Sequence, residues 1–292
     1  MVTRNNSKIG DWIIICIFVL LILICILPVM NVFSRAMSSP DALIRSEVGI
    51  WPVGLNFESF RMVWEDAKYP RALGWTAVLT LICTSVSLLL TLACAYPFVY
   101  KDLKGRKFIN TFLIFTMYFS AGTIPNWLLM RSLGLLNNPL VLIIPNALSI
   151  FNVILMRSFL YGISDSLRES AEIDGAGPFR VLVSLYIPLS KPALATIALF
   201  YAVGRWNGYG DALIYMTSSA ARWHPIQLLL YNIMQGFESI ESQLQEGGII
   251  ATGMSEGVRA ATIVIATVPI LCVYPFLQKY FVAGATLGSI KE

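Results

Sequence analysis

Four carboxylates stand close together between residues 165 and 174: Asp165, Glu169, Glu172 and Asp174. Only 13% of the chain is charged, so this cluster marks a place that meets water or a charged partner. A second pair of charges, Arg205 and Asp211, interrupts an otherwise apolar stretch from Pro192 to Met216. Charges at membrane depth face a helix bundle or a water-filled cavity, not lipid. The two are six residues apart, about 240° around a helix, so they pair only if the helix breaks. Gly204, Gly208 and Gly210 make a break or a close helix contact feasible. Asn207 and Asp211 are four apart and share a face.

Other chemistries lack their parts. The single histidine, His224, sits between Trp223 and Pro225 and reads as structural. One histidine excludes a two-histidine metal site and two-histidine catalysis. No Gly-Lys dipeptide occurs, so no phosphate-binding P-loop is present. The sequence therefore assigns no catalytic residue and no metal ligand. An intramembrane protease or acyltransferase would need a Ser-His pair, a carboxylate dyad or a His-Asp motif, and Asp211 is the sole clear carboxylate in a span.

The elements that position these residues follow from composition. Hydrophobic residues make up 57% of 292, and mean hydropathy is +0.70. That much apolar side chain exceeds what a soluble core of this length can hide, so the excess faces lipid. Stretches without charge run from Trp12 to Phe33, Ala72 to Tyr100, Phe108 to Met130 and Ser132 to Met156, the last read as helix over roughly 139–160. Another runs from Ala260 to Gln278, and 192–216, apolar except for Arg205 and Asp211, makes a sixth segment. A helical span needs about 20 residues, so six transmembrane helices are expected. The first reads as a signal-anchor helix, its core being too long for a cleaved signal peptide. The division expected is 1–71, a span plus an outer amphipathic segment, and 72–292, a five-span core. The five cysteines lie in apolar runs and read as packing.

Six spans place both termini on one side. The segments on that side hold 11 Lys/Arg in 63 residues, against 8 in 89 on the other. The positive-inside rule puts the termini in the cytoplasm. The same rule accounts for Lys101, Lys104, Arg106 and Lys107. The net charge of +4 is then a topology signal and not a sign of nucleic-acid binding. The loop from Tyr161 to Lys191 falls on the cytoplasmic side. Ser166-Leu167-Arg168-Glu169 fits a capping box. A helix from there ends near Asp174, with Gly175 as its left-handed cap. Pro178 opens a second helix, and Pro188 stops it. The result is a charged helix–turn–helix lying at the membrane surface, a form suited to docking in a groove on a cytoplasmic partner.

Here the sequence resembles a known family. Glu169-Ser170-Ala171, Asp174-Gly175-Ala176, Leu185 and Ile187-Pro188 match the coupling-loop pattern of ABC importer permeases, with Ser170, Leu185 and Ile187 as mild departures. Arg205-Trp206-Asn207 resembles the Trp-Asn signature of the carbohydrate-uptake branch, the maltose-permease-like one. Tyr274 to Phe281 resembles its Gram-positive oligosaccharide subgroup.

The resemblance implies a type I ABC importer permease fold: all-α, integral to the bacterial plasma membrane, forming half of a sugar pore. It implies a second homologous permease as heterodimer partner, two ATP-binding subunits that use ATP and Mg, and an extracytoplasmic solute-binding protein. No cofactor is expected on this chain. Glu169, Ser170, Ala171, Glu172, Asp174, Gly175 and Ala176 would form the ATPase-coupling element. Trp206 and Tyr209 can stack on sugar rings, and Asn207 can bond hydroxyls. With Arg205, Asp211, Tyr118 and Asn152 they are substrate-path candidates, although packing against the partner permease explains several as well. Asn126, Trp127 and Asn146 are weaker candidates; Pro125 and Pro145 could bend their helices. A permease for peptides, amino acids or another polar solute is the alternative, since the coupling loop alone does not separate these substrates. A receptor or scaffold leaves the projection unexplained.

Overall fold

The computed structural model describes residues 8–243 and 256–273. Every regular element among them is helical. Three helices are long and apolar enough to cross a bilayer alone: one covering Gly10–Ala36, one covering Lys68–Val99, and Glu256–Val273. The first belongs to α1 (Lys8–Ala36), whose outer face is apolar almost throughout; two short helices, α2 (Pro40–Ile44) and α3 (Glu58–Glu65), lead to α4 (Lys68–Ala95), which carries the second. It runs unbroken through Ser34, Arg35 and Ala36.

The third expected span is bent. α5 (Arg106–Tyr118) and α6 (Thr123–Ser132) meet at 111°. Gly122 adopts φ +91° between them, a conformation open to glycine and costly for other residues. Pro125 lies in the first turn of α6, where its missing N–H is harmless, so it does not kink a continuous helix.

The fourth expected span is also altered. Residues 139–142 form a 3₁₀ turn, and α7 (Ile150–Tyr161) has 12 residues. At 1.5 Å per residue that is about 18 Å, too short to cross alone. The expectation of six helices each long enough to span therefore needs correction: among the described residues three are, two helix pairs are bent, and α7 is short. Hydropathy alone cannot register breaks that arise from backbone angles.

Contacts divide the described residues into two compact units. One comprises 8–70, 230–243 and 256–268. Its core gathers Ala36, Val63, Ala260, Ala261 and Val264, and Arg35 pairs with Glu256. The other comprises 71–229 and 269–273. Its core packs Leu92, Tyr96, Val153, Met156, Tyr186 and Ile197. The residues of the candidate functional site lie in this second unit.

The cysteines are free. Cys83 is buried as expected, but Cys16, Cys25 and Cys272 lie on outer helix faces. In an apolar span the outer face meets lipid, so apolar context does not by itself imply packing against protein. The expected motif at 274–281 falls outside the described residues.

Candidate functional site: a coupling projection and a polar cavity

The loop after α7 folds as the sequence suggests, with one correction. α8 runs Asp165–Ile173. Its N-cap is Ser164, whose hydroxyl accepts from the Ser166 N–H at 3.3 Å. The capping box over 166–169 does not form, because the helix begins two residues earlier. Asp165 at the first helical position explains the shift: an acid there meets the positive end of the helix. It also pairs with Lys101 at 2.7 Å. That hydrogen bond holds the Asp165 carboxyl below its ordinary range and raises the Lys101 ammonium. Lys101 thus does more than report topology.

The far end of α8 is a Schellman cap. The Gly175 N–H donates to Glu172 O at 3.0 Å, and the Ala176 N–H donates to Ala171 O at 2.9 Å. Gly175 has φ +82°, as this motif requires. Ala171 and Ala176 both turn against the unit's core. The spacing of Ala171, Gly175 and Ala176 thus has a mechanical reading: two small residues anchor the corner and a glycine makes it.

α9 (Pro178–Val181) follows at once, then a π-helical turn over 182–186 and α10 (Ile187–Leu189). The wide turn stands just before Pro188, where a regular helix would drive the proline ring into the carbonyl four residues back. The helix therefore passes Pro188 and ends at Leu189. α11 (Lys191–Trp206) leaves at 81°.

The projection is held from behind and bare in front. Arg168 lies 3.0 Å from Glu172, 3.6 Å from Glu169, and 5.2 Å from the Tyr100 ring centroid. The Tyr96 hydroxyl donates to Pro178 O at 2.7 Å. On the outer side, Ile173 is 86% and Phe179 78% exposed. Glu169, Ser170, Glu172, Asp174 and Gly175 are exposed too, while Ala171 and Ala176 are half-buried.

α11 ends at Trp206, and α12 (Gly210–Tyr215) begins after three residues. This break brings Arg205 and Asp211 together at 2.5 and 3.0 Å. Their side chains are only 7% and 12% exposed. Arg205 also donates to Leu142 O and Gly208 O, each at 3.0 Å. It stands in the last turn of α11, where free carbonyls favour a cation. Gly208 permits the approach: a Cβ there would lie 3.0 Å from Arg205 Nη2. The Asn146 amide donates to Asp211 at 3.3 Å.

These groups line a cavity of about 910 Å³. The structure brings Arg205, Asp211, Asn126, Asn146 and Asn152 into its wall. It does not bring Trp206, Asn207, Tyr209, Tyr118 or Trp127 there. Trp206 is buried elsewhere, Tyr118 is 80% exposed at the end of α5, and Arg131 covers the Trp127 ring. Asn207 turns back to donate to Val203 O at 3.1 Å.

The sequence did not point to Ser120, Thr123, Ser149 and Tyr201, which also line the cavity. Tyr201 links three stretches: its hydroxyl lies 2.8 Å from Thr91 Oγ1 and accepts from the Ser149 N–H at 3.1 Å. Ser149 is the N-cap of α7, the one trait that could have marked it.

A membrane-spanning helical unit with a capped projection at one end and a polar cavity behind a broken helix is the build of a transport permease. Residues 87–286 match the family described as binding-protein-dependent transport system inner membrane component, and the chain belongs to it. This is the family that the coupling loop resembles. The polygalacturonan/rhamnogalacturonan transport system permease protein YtcP of Bacillus subtilis (strain 168) is 36% identical over 98% of this chain and 99% of its own length. Protein LplC of the same organism is 36% identical over 99% and 98%. Among solved structures, a bacterial ABC transporter involved in import of the acidic polysaccharide alginate has a chain 33% identical, with TM-score 0.85, over 95% of this chain and 98% of that one. The protein is thus a multi-pass inner-membrane permease of an ABC importer.

Proposed function

We propose that the chain forms half of an importer pore for sugars or oligosaccharides, among them fragments of plant or algal polysaccharides. The observation that carries this reading is the projection itself. Two large apolar side chains, Ile173 and Phe179, stand in the open on a corner built from charged residues. Such a surface calls for a partner. A cytoplasmic ATPase, present as two subunits, fits it, with Glu169 reaching a basic residue in the receiving cleft. ATP and Mg act on that partner. A second, similar permease completes the pore, an extracytoplasmic binding protein delivers the solute, and the termini lie in the cytoplasm.

The cavity supports a neutral, hydroxyl-rich solute. Its two charges cancel within the Arg205–Asp211 pair, and serine, threonine, asparagine and tyrosine supply the other polar groups. α11 joins the two regions as one rod: its first residues follow the 81° bend, and its last turn holds Arg205. A tilt of the projection is thereby delivered about 24 Å away.

The test is uptake of labelled oligosaccharides in a deletion strain carrying wild-type chain or Glu169→Lys. The variant should reach the membrane in normal amount and lose uptake. Wild-type uptake by Glu169→Lys would sink the coupling role.

A further inference from the structure

The chain from Val48 to Phe57, between α2 and α3, carries no charge. It is strapped to the end of α1. The Asn31 side-chain amide donates to Gly49 O at 2.7 Å, and the Ser34 hydroxyl donates to Ile50 O. The Val53 N–H donates to Ser38 Oγ at 3.0 Å. The Ser39 N–H donates to Val53 O at 3.1 Å, and the Asn56 N–H donates to Met37 O at 2.9 Å. Gly54, at φ +64°, comes so close to Ser39 that a Cβ would stand 2.8 Å from its hydroxyl oxygen. A segment fixed in this way does not hide its apolar side chains. Trp51 is 73% and Leu55 68% exposed, and Ile50, Val53 and Phe57 are exposed as well.

The strap sits at a definite depth. The span that ends at Ala36 has 27 residues, about 40 Å of helix. Centred on a hydrocarbon core of about 30 Å, it reaches about 5 Å past each side. Asn31 and Ser34 then lie within about one turn of the core's edge, and so do Gly49 and Ile50, which bond to them. The same helix face continues into the membrane. Leu20, Ile24, Leu27, Asn31 and Ser34 follow spacings of four, three, four and three, which keeps them on one side of α1. Leu20, Ile24 and Leu27 are exposed apolar residues. The exposed segment is therefore the continuation of the lipid-facing stripe of α1, folded back where that stripe meets the headgroups.

The polar groups agree with such a place. Asn31, Ser34 and Ser38 all donate to backbone carbonyls, and Arg35 pairs with Glu256. Internal bonding of this kind is what a site poor in water requires. Tryptophan concentrates at this depth in membrane proteins. A soluble partner could cover the segment only by entering the headgroup layer. What the segment holds is also clear. α3 follows it directly, with Ser59 so close to Gly257 that no Cβ would fit there. Val63 of α3 shares a core with Ala36, Ala260 and Ala261.

We propose that residues 50–57 form a membrane anchor that does not span: Trp51, Leu55 and Phe57 enter the boundary between headgroups and acyl chains, and fix the depth at which α3 meets the start of the span Glu256–Val273. The segment carries no charge, so it takes zwitterionic and anionic lipids alike.

The test is tryptophan quenching in the full-length protein, reconstituted in phosphatidylcholine nanodiscs. The chain has seven tryptophans, so the Trp51 share is the difference between wild type and Trp51→Phe. Lipids brominated high on the acyl chain should quench roughly half of that share or more, because a ring about 5–10 Å deep lies within their reach. Lipids brominated at the chain end should quench it several-fold less, and aqueous iodide should leave it nearly unchanged. Moving the reporter, in Trp51→Phe/Leu55→Trp, should reproduce the pattern. Both positions are exposed, so neither exchange disturbs a core. Quenching by iodide and not by brominated lipid, at either position, overturns the proposal. So does equal quenching by the two brominated lipids, which would put the ring in the hydrocarbon interior. Protection from iodide and bromine together overturns it too, because another protein surface would then cover the segment.

Discussion

The coupling projection and the polar cavity lie in one unit yet are built on opposite rules. In the projection, the contacts that cap α8 and turn its corner join residues two to five apart, such as Ser164 with Ser166 and Ala176 with Ala171. In the cavity, Arg205 reaches Leu142 and Asn146 reaches Asp211, 63 and 65 positions apart. The projection spends its carboxylates in water, where an ion pair contributes little. The cavity buries one carboxylate and one guanidinium, where each is tolerable only with the other. Damage to the first should therefore be local and functional, and damage to the second structural.

The sharpest break of that contrast is Asp211→Ala. It leaves Arg205 buried without its counter-charge, a loss of about 3–5 kcal/mol. Thermal unfolding of the purified protein should show it, and Arg205→Met/Asp211→Leu should recover most of the loss. An Asp211→Ala protein that melts with the wild type would mean that water reaches the pair freely.

Two glycines then separate backbone from space. A Cβ on Gly175 meets nothing within 4 Å, but φ is +82°. A Cβ on Gly208 has ordinary backbone angles but meets Arg205 Nη2 at 3.0 Å and Gly204 O at 3.2 Å. Gly175→Val should cost about 1–2 kcal/mol through the left-handed conformation alone and abolish uptake, with insertion intact. Gly175→Asn, which tolerates that conformation, should keep substantial uptake. At Gly208 the order reverses, because size and not angle decides: Gly208→Ala should be milder than Gly208→Asn. Equal effects of valine and asparagine at 175 would remove the Schellman corner as the cause.

The same contrast governs what the sequence discloses. A glycine followed three residues later by proline, flanked by small residues and acids, dictates its corner wherever it stands. So Gly175, Pro178 and the end of α8 were legible. The start of α8 was less so, because Asp165 is fixed by Lys101, 64 positions away, and the Ser-x-x-Glu pattern carries no trace of that. The apolar stretches were legible as membrane segments, but the bend at Gly122 was not, since hydropathy ignores φ. Arg205 and Asp211 drew notice because charge is rare in such a stretch, and three nearby glycines allowed the break that joins them. Tyr201 and Ser149 drew none, because lone hydroxyls are common in apolar helices, and only the fold shows that they meet.

The smallest effect tests whether the projection is as loosely priced as its exposure implies. Lys101 lowers the Asp165 carboxyl below its ordinary range. A group lowered on folding contributes stability above its unfolded pKa, roughly 4, and that contribution disappears as pH falls through the lower folded value. Lys101→Met should return Asp165 to the ordinary range, observable by carboxylate infrared difference spectra, without a measurable change in melting temperature at neutral pH. Uptake should persist, because Ser164 and Gly175 still fix both ends of α8. Loss of uptake in Lys101→Met would show that the projection depends on a long-range tether, and would make it more like the cavity than its local contacts suggest.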